Sequence, residues 1–292
     1  MHDDTLAPRL NHVQCLDNRG LHRMGWWEWG DPANPRVLVC VHGLSRQGRD
    51  FDTFARAMQD AYRVVCPDVV GRGVSDRLAD PMGYQIPAYV ADMVTLLARL
   101  NAGTLHWVGT SMGGLIGLGL AALKDSPVAK LVLNDVGPSV EPSAIARIGS
   151  YLGVPARWAS LDEAADALWQ ISQGFGPHTR EQWLALTRPM LRPDGDGWVP
   201  HYDPQIALPF RAMTPEAARA GEALLWGMYD GLRCPTLLLR GAESDLLTRA
   251  TAEAMTRRGP RALLREFAGV GHAPMLTAPD QVAAVREFLL AA

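Results

Sequence analysis

The sequence of 292 residues lacks the short motifs that hold the common cofactors. It has no HExxH motif and no cluster of cysteine and histidine residues to ligate a metal. It also has no GxGxxG or GxxxxGK[ST] pattern to bind a dinucleotide or the phosphates of ATP. We therefore predict a protein that needs no cofactor: no metal, no dinucleotide and no ATP.

Cysteine, charge of one sign and long apolar runs are also scarce. The four cysteines lie far apart without CxxC spacing, which is typical of free thiols in a cytoplasmic protein. The formal net charge of -3 leaves no basic excess for the phosphates of nucleic acid. The first residues, MHDDTLAPRL, show no signal-peptide pattern. The longest uncharged stretch, around 107–123, contains five glycines, so we predict no membrane insertion.

Short apolar runs alternate with helical patterns through the first half of the chain. Four runs are partly β-branched, are bounded by turn residues and predict strands buried on both faces: Val37–Val41, Arg63–Cys66, Leu105–Val108 and Leu131–Leu133. Between them, Phe51–Asp60 and Ala88–Leu100 carry apolar residues at helical spacing. The alternation predicts right-handed crossovers and a parallel sheet. Residues 12–18 and 21–29 predict an antiparallel hairpin at its edge.

The alternation stops near Pro138 and resumes near Pro235. The sequence between these points is helical, is interrupted by proline and glycine, and holds five of the nine tryptophans. We predict a core formed by residues 1–138 and 232–292, with a helical lid at 139–231.

One glycine-rich pentapeptide, Gly109-Thr110-Ser111-Met112-Gly113, lies between a predicted strand and a predicted helix. The G-x-S-x-G spacing suits a sharp turn in which the neighbours of the central residue must be small. Such a turn lifts the Ser111 hydroxyl above the sheet and places it at a helix amino terminus, which favours developing negative charge. The pattern predicts a nucleophilic serine rather than a packing turn.

A nucleophilic serine needs a base and, behind the base, a carboxylate. Of the eight histidines, His272 follows the last predicted strand in a glycine-flanked loop, where ligands of α/β sheets bind. Two aspartates follow strand ends upstream of it, Asp135 and Asp245, and chain order does not separate them. We predict Asp245 as the acid, because it lies several residues past its strand on a loop with room to reach a histidine. For Asp135 we expect a turn or helix-capping role.

The loop Val41-His42-Gly43-Leu44 ends a strand and can direct a backbone N–H at a reacting carbonyl oxygen. The Leu44 amide, together with the Met112 amide just after the nucleophile, would form an oxyanion hole. Arg46 and Arg49 follow this loop. They can pair with a substrate carboxylate, although a solvated surface position is the more ordinary expectation for both.

The segments HGLSRQGRDF, CPDVVGRGVSD, VGTSMGG, LLLRGAESD and VGHAP, in this order over essentially the whole chain, resemble the α/β-hydrolase superfamily. The resemblance is to single-domain members with a helical lid after the sixth strand. It implies a mostly parallel eight-stranded sheet flanked by helices. It also implies a catalytic triad of Ser111, His272 and Asp245, with an oxyanion hole at Leu44 and Met112.

Serine at the nucleophile position excludes the members that use an aspartate, such as haloalkane dehalogenases and epoxide hydrolases. The segment LSRQGRD departs from the glycine- and proline-rich oxyanion loop that is usual in C–C bond hydrolases. We therefore predict a carboxylesterase-like serine hydrolase that forms an acyl-enzyme with a small or medium, partly apolar ester. The alternatives are C–C or enol-lactone cleavage by the same triad, and a ligand sensor without turnover.

The aromatic residues of the predicted lid have two interpretations. They either roof an apolar substrate pocket or pack the lid onto the sheet, since large rings supply much of the burial available to short helices. The candidates for substrate contact are Trp158, Trp169, Trp183, Phe210 and Trp226.

Overall fold

The computed structural model describes residues 7–291. Residues 1–6 and Ala292 lie outside this range. The prediction that the first residues carry no signal-peptide pattern falls in part on these undescribed residues. Eight strands form the main sheet: β1 (Arg9–Asp17), β2 (Gly20–Trp29), β3 (Arg36–Val41), β4 (Arg63–Pro67), β5 (Thr104–Thr110), β6 (Val128–Asn134), β9 (Thr236–Gly241) and β10 (Leu263–Phe267). A separate hairpin consists of β7 (Leu191–Asp194) and β8 (Gly197–Pro200).

The strand order of the main sheet is β1-β2-β4-β3-β5-β6-β9-β10. The β1–β2 and β2–β4 pairs are antiparallel, and the remaining neighbours are parallel. The predicted mostly parallel eight-stranded sheet with its antiparallel edge hairpin is therefore confirmed. The parallel strands β3, β5, β6 and β9 bring their carboxyl ends to one edge, which is the edge at which α/β folds bind ligands.

Helices cover both faces of the sheet, as expected for buried parallel strands. The helices outside the 139–231 segment are α1 (Asp52–Met58), α2 (Ile86–Leu100), α3 (Met112–Ala121), α9 (Arg249–Met255) and α10 (Pro279–Leu290). Alternate residues of β3 face opposite layers: Val39 belongs to a core cluster with residues of α2, α3 and α9, whereas Leu38 belongs to a second cluster with residues of α1 and α10. Two apolar layers thus cover the two faces of the sheet beneath the site.

The segment between β6 and β9 contains the remaining helices, α4 (Pro142–Tyr151), α5 (Leu161–Gln170), α6 (Arg180–Thr187), α7 (Ala207–Arg211) and α8 (Pro215–Asp230). It also contains the β7–β8 hairpin, which sequence analysis did not predict. The stretch RPDGDGWVP pairs Asp194 with Gly197 across a tight turn in which Gly195 has a positive φ of 56°. None of the helices within 7–291 combines the length and the apolar character needed to cross a bilayer.

Candidate active site

The nucleophile elbow forms where β5 meets α3. Ser111 has φ of 52° and ψ of -117°, a left-handed conformation that is strained for any residue except glycine. A Cβ atom on Gly109 would overlap the backbone of Gly113, and one on Gly113 would overlap the backbone of Val41. The glycine spacing is therefore required by the close approach of strand, turn and helix, as predicted.

Ser111 and His272 lie within hydrogen-bond distance. The Ser111 Oγ is 3.0 Å from the Nε2 of His272, and the other ring nitrogen, Nδ1, is 2.8 Å from Oδ2 of Asp135. An Nδ1–H that donates to Asp135 leaves the Nε2 lone pair free to accept the serine proton. Hydroxyl, imidazole and carboxylate thus form one continuous chain of hydrogen bonds.

The carboxylate beside His272 belongs to Asp135, so the expectation for Asp245 is wrong. Asp245 lies 46% exposed and forms an ion pair with Arg147, with 2.7 Å between Oδ2 and Nε. The several residues that separate Asp245 from β9 direct it toward α4 instead of toward the histidine. Asp135 needs no such loop, because its left-handed φ of 55° turns the chain directly after β6.

Asp135 is completely buried, and its two oxygens are held by separate donors. The Gly241 N–H donates to Oδ1 at 2.9 Å, and the Ser244 hydroxyl donates to Oδ2 at 2.6 Å. Ser244 Oγ in turn accepts from the amides of Leu246 and Leu247. The carboxyl end of β9 therefore fixes the orientation of an acid that β6 supplies.

The Leu44 and Met112 amides, the predicted oxyanion donors, lie on the loop after β3 and at the first residue of α3. Within residues 7–291 neither N–H donates to a protein acceptor. The imidazole of His42 holds the peptide between Gly43 and Leu44. Its Nδ1 donates to Gly43 O at 2.7 Å, while its Nε2 accepts from Val69 N–H at 3.0 Å. The C=O and N–H groups of a trans peptide point in opposite directions. By holding Gly43 O, His42 therefore also fixes the direction of the Leu44 N–H.

Burial keeps His42 in the neutral form that these two bonds require. Removal from water lowers the pKa of His42 from 6.5 to about 3, since the protonated ring loses its hydration. The ring can therefore donate from one nitrogen and accept at the other throughout the neutral pH range.

Arg72 is a site residue that sequence analysis missed. It is 1% exposed, its Nε donates to Leu44 O at 2.8 Å, and its Nη2 lies 3.6 Å from the sulfur of Met112. Its Nη1 donates to the Tyr89 hydroxyl and to Val70 O. The guanidinium thus contacts both residues that supply the free amides. The available signal was the arginine within the segment CPDVVGRGVSD, one of those that carry the resemblance to the superfamily.

A cavity of about 260 Å³ opens above Ser111 and His272. Its apolar wall includes Ile148, Leu168, Met190 and Leu191. Its aromatic residues are Phe51, Tyr151, Trp158, Phe175 and Tyr202. The lining residues come from both the sheet edge and the 139–231 segment.

Only one of the five predicted lid aromatics, Trp158, lines this cavity. The expectation for the other four is wrong, because each packs within the protein. Trp183 is buried, donates to Ala165 O and stacks edge-on with Trp169 at 5.0 Å. Phe210 packs against the main core, and Trp226 donates to Ser139 beneath the guanidinium of Arg258.

The structure separates the two arginines near the oxyanion loop. Arg49 forms a two-pronged ion pair with Asp52 and stacks on Trp27, away from the cavity-lining set. Arg46 is only 9% exposed, lines the cavity and pairs with Asp50. The surface position expected for Arg46 is therefore wrong.

Among the described residues, Cys15, His22 and Asp92 bring possible metal-ligand atoms within 4.8 Å of one another. They lie on β1, β2 and α2, outside the cavity lining. His22 Nε2 already contacts both Asp92 oxygens at 3.0 Å, and Asp92 raises the pKa of His22. We assign this group to the packing of the edge hairpin on α2.

The chain is similar to known hydrolases over nearly its whole length. The model of the alpha/beta hydrolase family matches residues 38–285. A 3-hydroxybutyrate-oligomer hydrolase of Cupriavidus necator is 56% identical, covering 98% of this chain and 99% of that protein. Esterase YbfF of Escherichia coli is 25% identical, with 88% and 94% covered.

Solved structures agree with these relatives. A putative hydrolase from Rickettsia typhi superposes with a TM-score of 0.87 at 28% identity, covering 96% of this chain and 98% of that one. An alpha/beta hydrolase from Novosphingobium aromaticivorans gives 0.85 at 34% identity, covering 97% and 98%. The predicted fold and the predicted enzyme class, a hydrolase acting on ester bonds, are confirmed. The chain belongs to the alpha/beta hydrolase family.

Proposed function

We propose that the protein is a serine hydrolase that cleaves the ester bonds of short 3-hydroxybutyrate oligomers through Ser111, His272 and Asp135. The hydrogen-bond chain from Ser111 Oγ through His272 to Asp135 is the observation that carries the catalytic part. The substrate class rests on the 56% identity to the 3-hydroxybutyrate-oligomer hydrolase across both full lengths. The cavity above the serine, with its largely apolar walls, suits a small ester with methyl branches.

In the proposed reaction His272 Nε2 takes the proton of Ser111 as Oγ attacks the ester carbonyl carbon. Asp135 stabilises the imidazolium that forms, and the Leu44 and Met112 amides hold the oxyanion. His272 then gives the proton to the leaving alkoxide, which departs as the 3-hydroxyl group of one product. A water molecule, deprotonated by the same imidazole, hydrolyses the acyl-enzyme and releases the carboxylic acid of the other.

We further propose that the 139–231 segment acts as a lid. Its Tyr151, Trp158 and Phe175 face the cavity, and its 3-10 turn at Gln173–Phe175 touches the loop of the catalytic base. The Gly271 N–H donates to Gly174 O at 2.7 Å across this contact. The lid would limit the access of water to the site while Ser111 attacks the ester and the alcohol departs.

The test combines labelling with a substrate panel. A fluorophosphonate should label Ser111, as mapped on the tryptic peptide, and S111A should lose roughly 10³-fold or more of the kcat. The panel compares the 3-hydroxybutyrate dimer and trimer with p-nitrophenyl butyrate, an enol lactone and a diketone that reports C–C cleavage. Labelling at another residue contradicts the triad. Preference for the lactone or diketone over the dimer contradicts the proposed substrate.

A further inference from the structure

The Arg46–Asp50 pair is unusual because it lies inside the substrate cavity. Side chains of both residues are about nine-tenths buried, and both line the wall above Ser111. Gly43 separates the arginine stem from the nucleophile. A Cβ on Gly43 would lie 3.7 Å from Arg46 Cγ and equally 3.7 Å from Ser111 Cβ. The arginine therefore stands beside the reacting centre and not at the rim.

One edge of the Arg46 guanidinium is fully used by the protein. Nε lies 2.6 Å from Oδ2 of Asp50, and Nη2 lies 2.7 Å from Oδ1, in a two-pronged pair. The group also stacks over Phe175, with 5.4 Å from its carbon Cζ to the ring centre. These contacts fix the plane of the guanidinium before any substrate binds.

On the other edge, Nη2 also reaches the Leu186 carbonyl oxygen, at 3.5 Å, whereas Nη1 has no partner among the described residues. Within residues 7–291, Nη1 donates to no acceptor, although a guanidinium carries two N–H groups on that nitrogen. Donors in a nearly buried site need an acceptor, because leaving them unpaired is costly. Since Arg46 lines the cavity, that acceptor must come from whatever occupies the cavity.

The net charge of the Arg46–Asp50 pair indicates which kind of ligand group the free Nη1 would bind. Asp50 balances Arg46, so the free edge acts as a fixed donor with little net charge. Such a donor suits a carbonyl-type oxygen, whether it belongs to an ester or to a carboxylate. In a 3-hydroxybutyrate oligomer, an oxygen of this type follows one repeat unit after the scissile ester. It is the terminal carboxylate in a dimer and the next ester carbonyl in a longer chain.

We infer that the Nη1 edge of Arg46 binds the carbonyl-type oxygen one repeat unit beyond the scissile ester on the leaving-group side. This inference rests on the proposed function. Arg46 would distinguish hydroxyacid oligomers from simple esters of similar size. Arg147, which also lines the cavity, is 40% exposed in its pair with Asp245 and is less suited to this task.

The test replaces both residues of the pair, because replacing Arg46 alone would leave the Asp50 carboxylate buried and unpaired. In R46M/D50L we expect kcat/KM for the dimer and for its methyl ester to fall about tenfold or more. For p-nitrophenyl butyrate, which lacks the second oxygen, the value should stay within about threefold. The matched control R49M/D52L removes the neighbouring pair outside the cavity and should leave all three substrates unchanged.

R46K provides a second variant that keeps the charge beside Asp50 but lacks the second N–H edge. It should show a selective loss for the oligomers in the same direction. A loss confined to the free dimer identifies the carboxylate as the bound group, and a loss for the methyl ester as well identifies a carbonyl oxygen. Equal losses on all substrates, or no loss in either variant, overturn the Arg46 subsite. Failure of the wild type to cleave the dimer instead refutes the proposed function.

Discussion

Asp135 and His272 are 137 residues apart in the sequence, yet Oδ2 of one lies 2.8 Å from Nδ1 of the other. The acid comes from the end of β6, and its supporting hydrogen bonds come from the end of β9. A left-handed turn at Asp135 presents the carboxylate immediately after the strand. Aspartate and asparagine tolerate this conformation better than most residues.

Replacement of each aspartate by asparagine tests which of the two carboxylates supports the catalytic histidine. D135N keeps the shape and tolerates the left-handed backbone, but it removes the charge that stabilises the imidazolium. We expect kcat on p-nitrophenyl butyrate to fall about 10³–10⁴-fold. D245N loses only an exposed ion pair, so its kcat should stay within about threefold of the wild type. The reverse ranking would restore Asp245 as the acid.

Ser244 is expected to act as a positioning residue for Asp135. S244A removes the 2.6 Å hydrogen bond to the oxygen that also faces His272. We expect kcat to fall about three- to tenfold with KM nearly unchanged, because the acid becomes less well oriented. Steady-state kinetics should show this split. S160A, which removes the amino-terminal cap of α5 without touching Asp135, serves as the control. An unchanged kcat in S244A would argue against the role.

Gly174 is expected to be intolerant of a side chain. A Cβ there would lie 3.2 Å from the carbonyl oxygen and 3.3 Å from the nitrogen of His272, which is tight for contact with backbone. G174A should therefore displace the histidine loop and lower kcat several-fold. Such a decrease corresponds to roughly 1 kcal/mol of additional activation free energy.

Gly221 offers a matched control in α8 of the same segment. No atom lies within 4 Å of a Cβ at that position. G221A should leave kcat unchanged and raise the free energy of unfolding by about 0.5–1 kcal/mol, since alanine is the better helix former. Equal kcat values for the two variants would show that the Gly174 contact does not matter to the base.

His42 is expected to contribute to the loss of stability in acid. The pKa of His42 is about 3 in the folded protein, compared with 6.5 for an ordinary histidine. Between these two pH values the unfolded chain therefore binds a proton that the folded protein does not bind. Its contribution is complete above pH 6.5 and declines as the pH falls toward 3. Between pH 6.5 and pH 5 this single group should cost the wild type about 2 kcal/mol.

Urea denaturation of wild type and H42N across this pH range measures the effect. H42N should be less stable than the wild type near neutrality, because two buried hydrogen bonds are lost. The gap between the two proteins should narrow as the pH falls. A gap independent of pH would mean that His42 is not held neutral in the folded state.

The sequence predicts the features that depend on local pattern. Buried apolar runs identified the central strands, and the spacing of Gly109 and Gly113 identified the elbow, because steric crowding at that turn leaves no other choice. His272 was found because it follows the last strand. These features depend on neighbours in the chain, or on the general rule that parallel strands end at one edge.

The features that were missed depend on contacts between distant segments. Asp135 and Asp245 both follow strand ends, and only a backbone φ and the position of the histidine loop separate them. Helix α6 has only eight residues, so the direction in which Trp183 points is set by packing and not by periodicity. Arg46 appeared to be a surface residue until Asp50 and Phe175 were placed beside it. The lid boundaries and the cytoplasmic location stay predictions.

Arg72 carries its charge into the interior with neutral partners: carbonyl oxygens, a phenol and a sulfur. Among the residues described, no carboxylate lies within ion-pair distance of it. The work of taking this cation out of water is done once, when the chain folds, and not during each catalytic cycle. In the proposed mechanism, the charge of Arg72 is therefore already in place beside Leu44 and Met112 when the substrate binds.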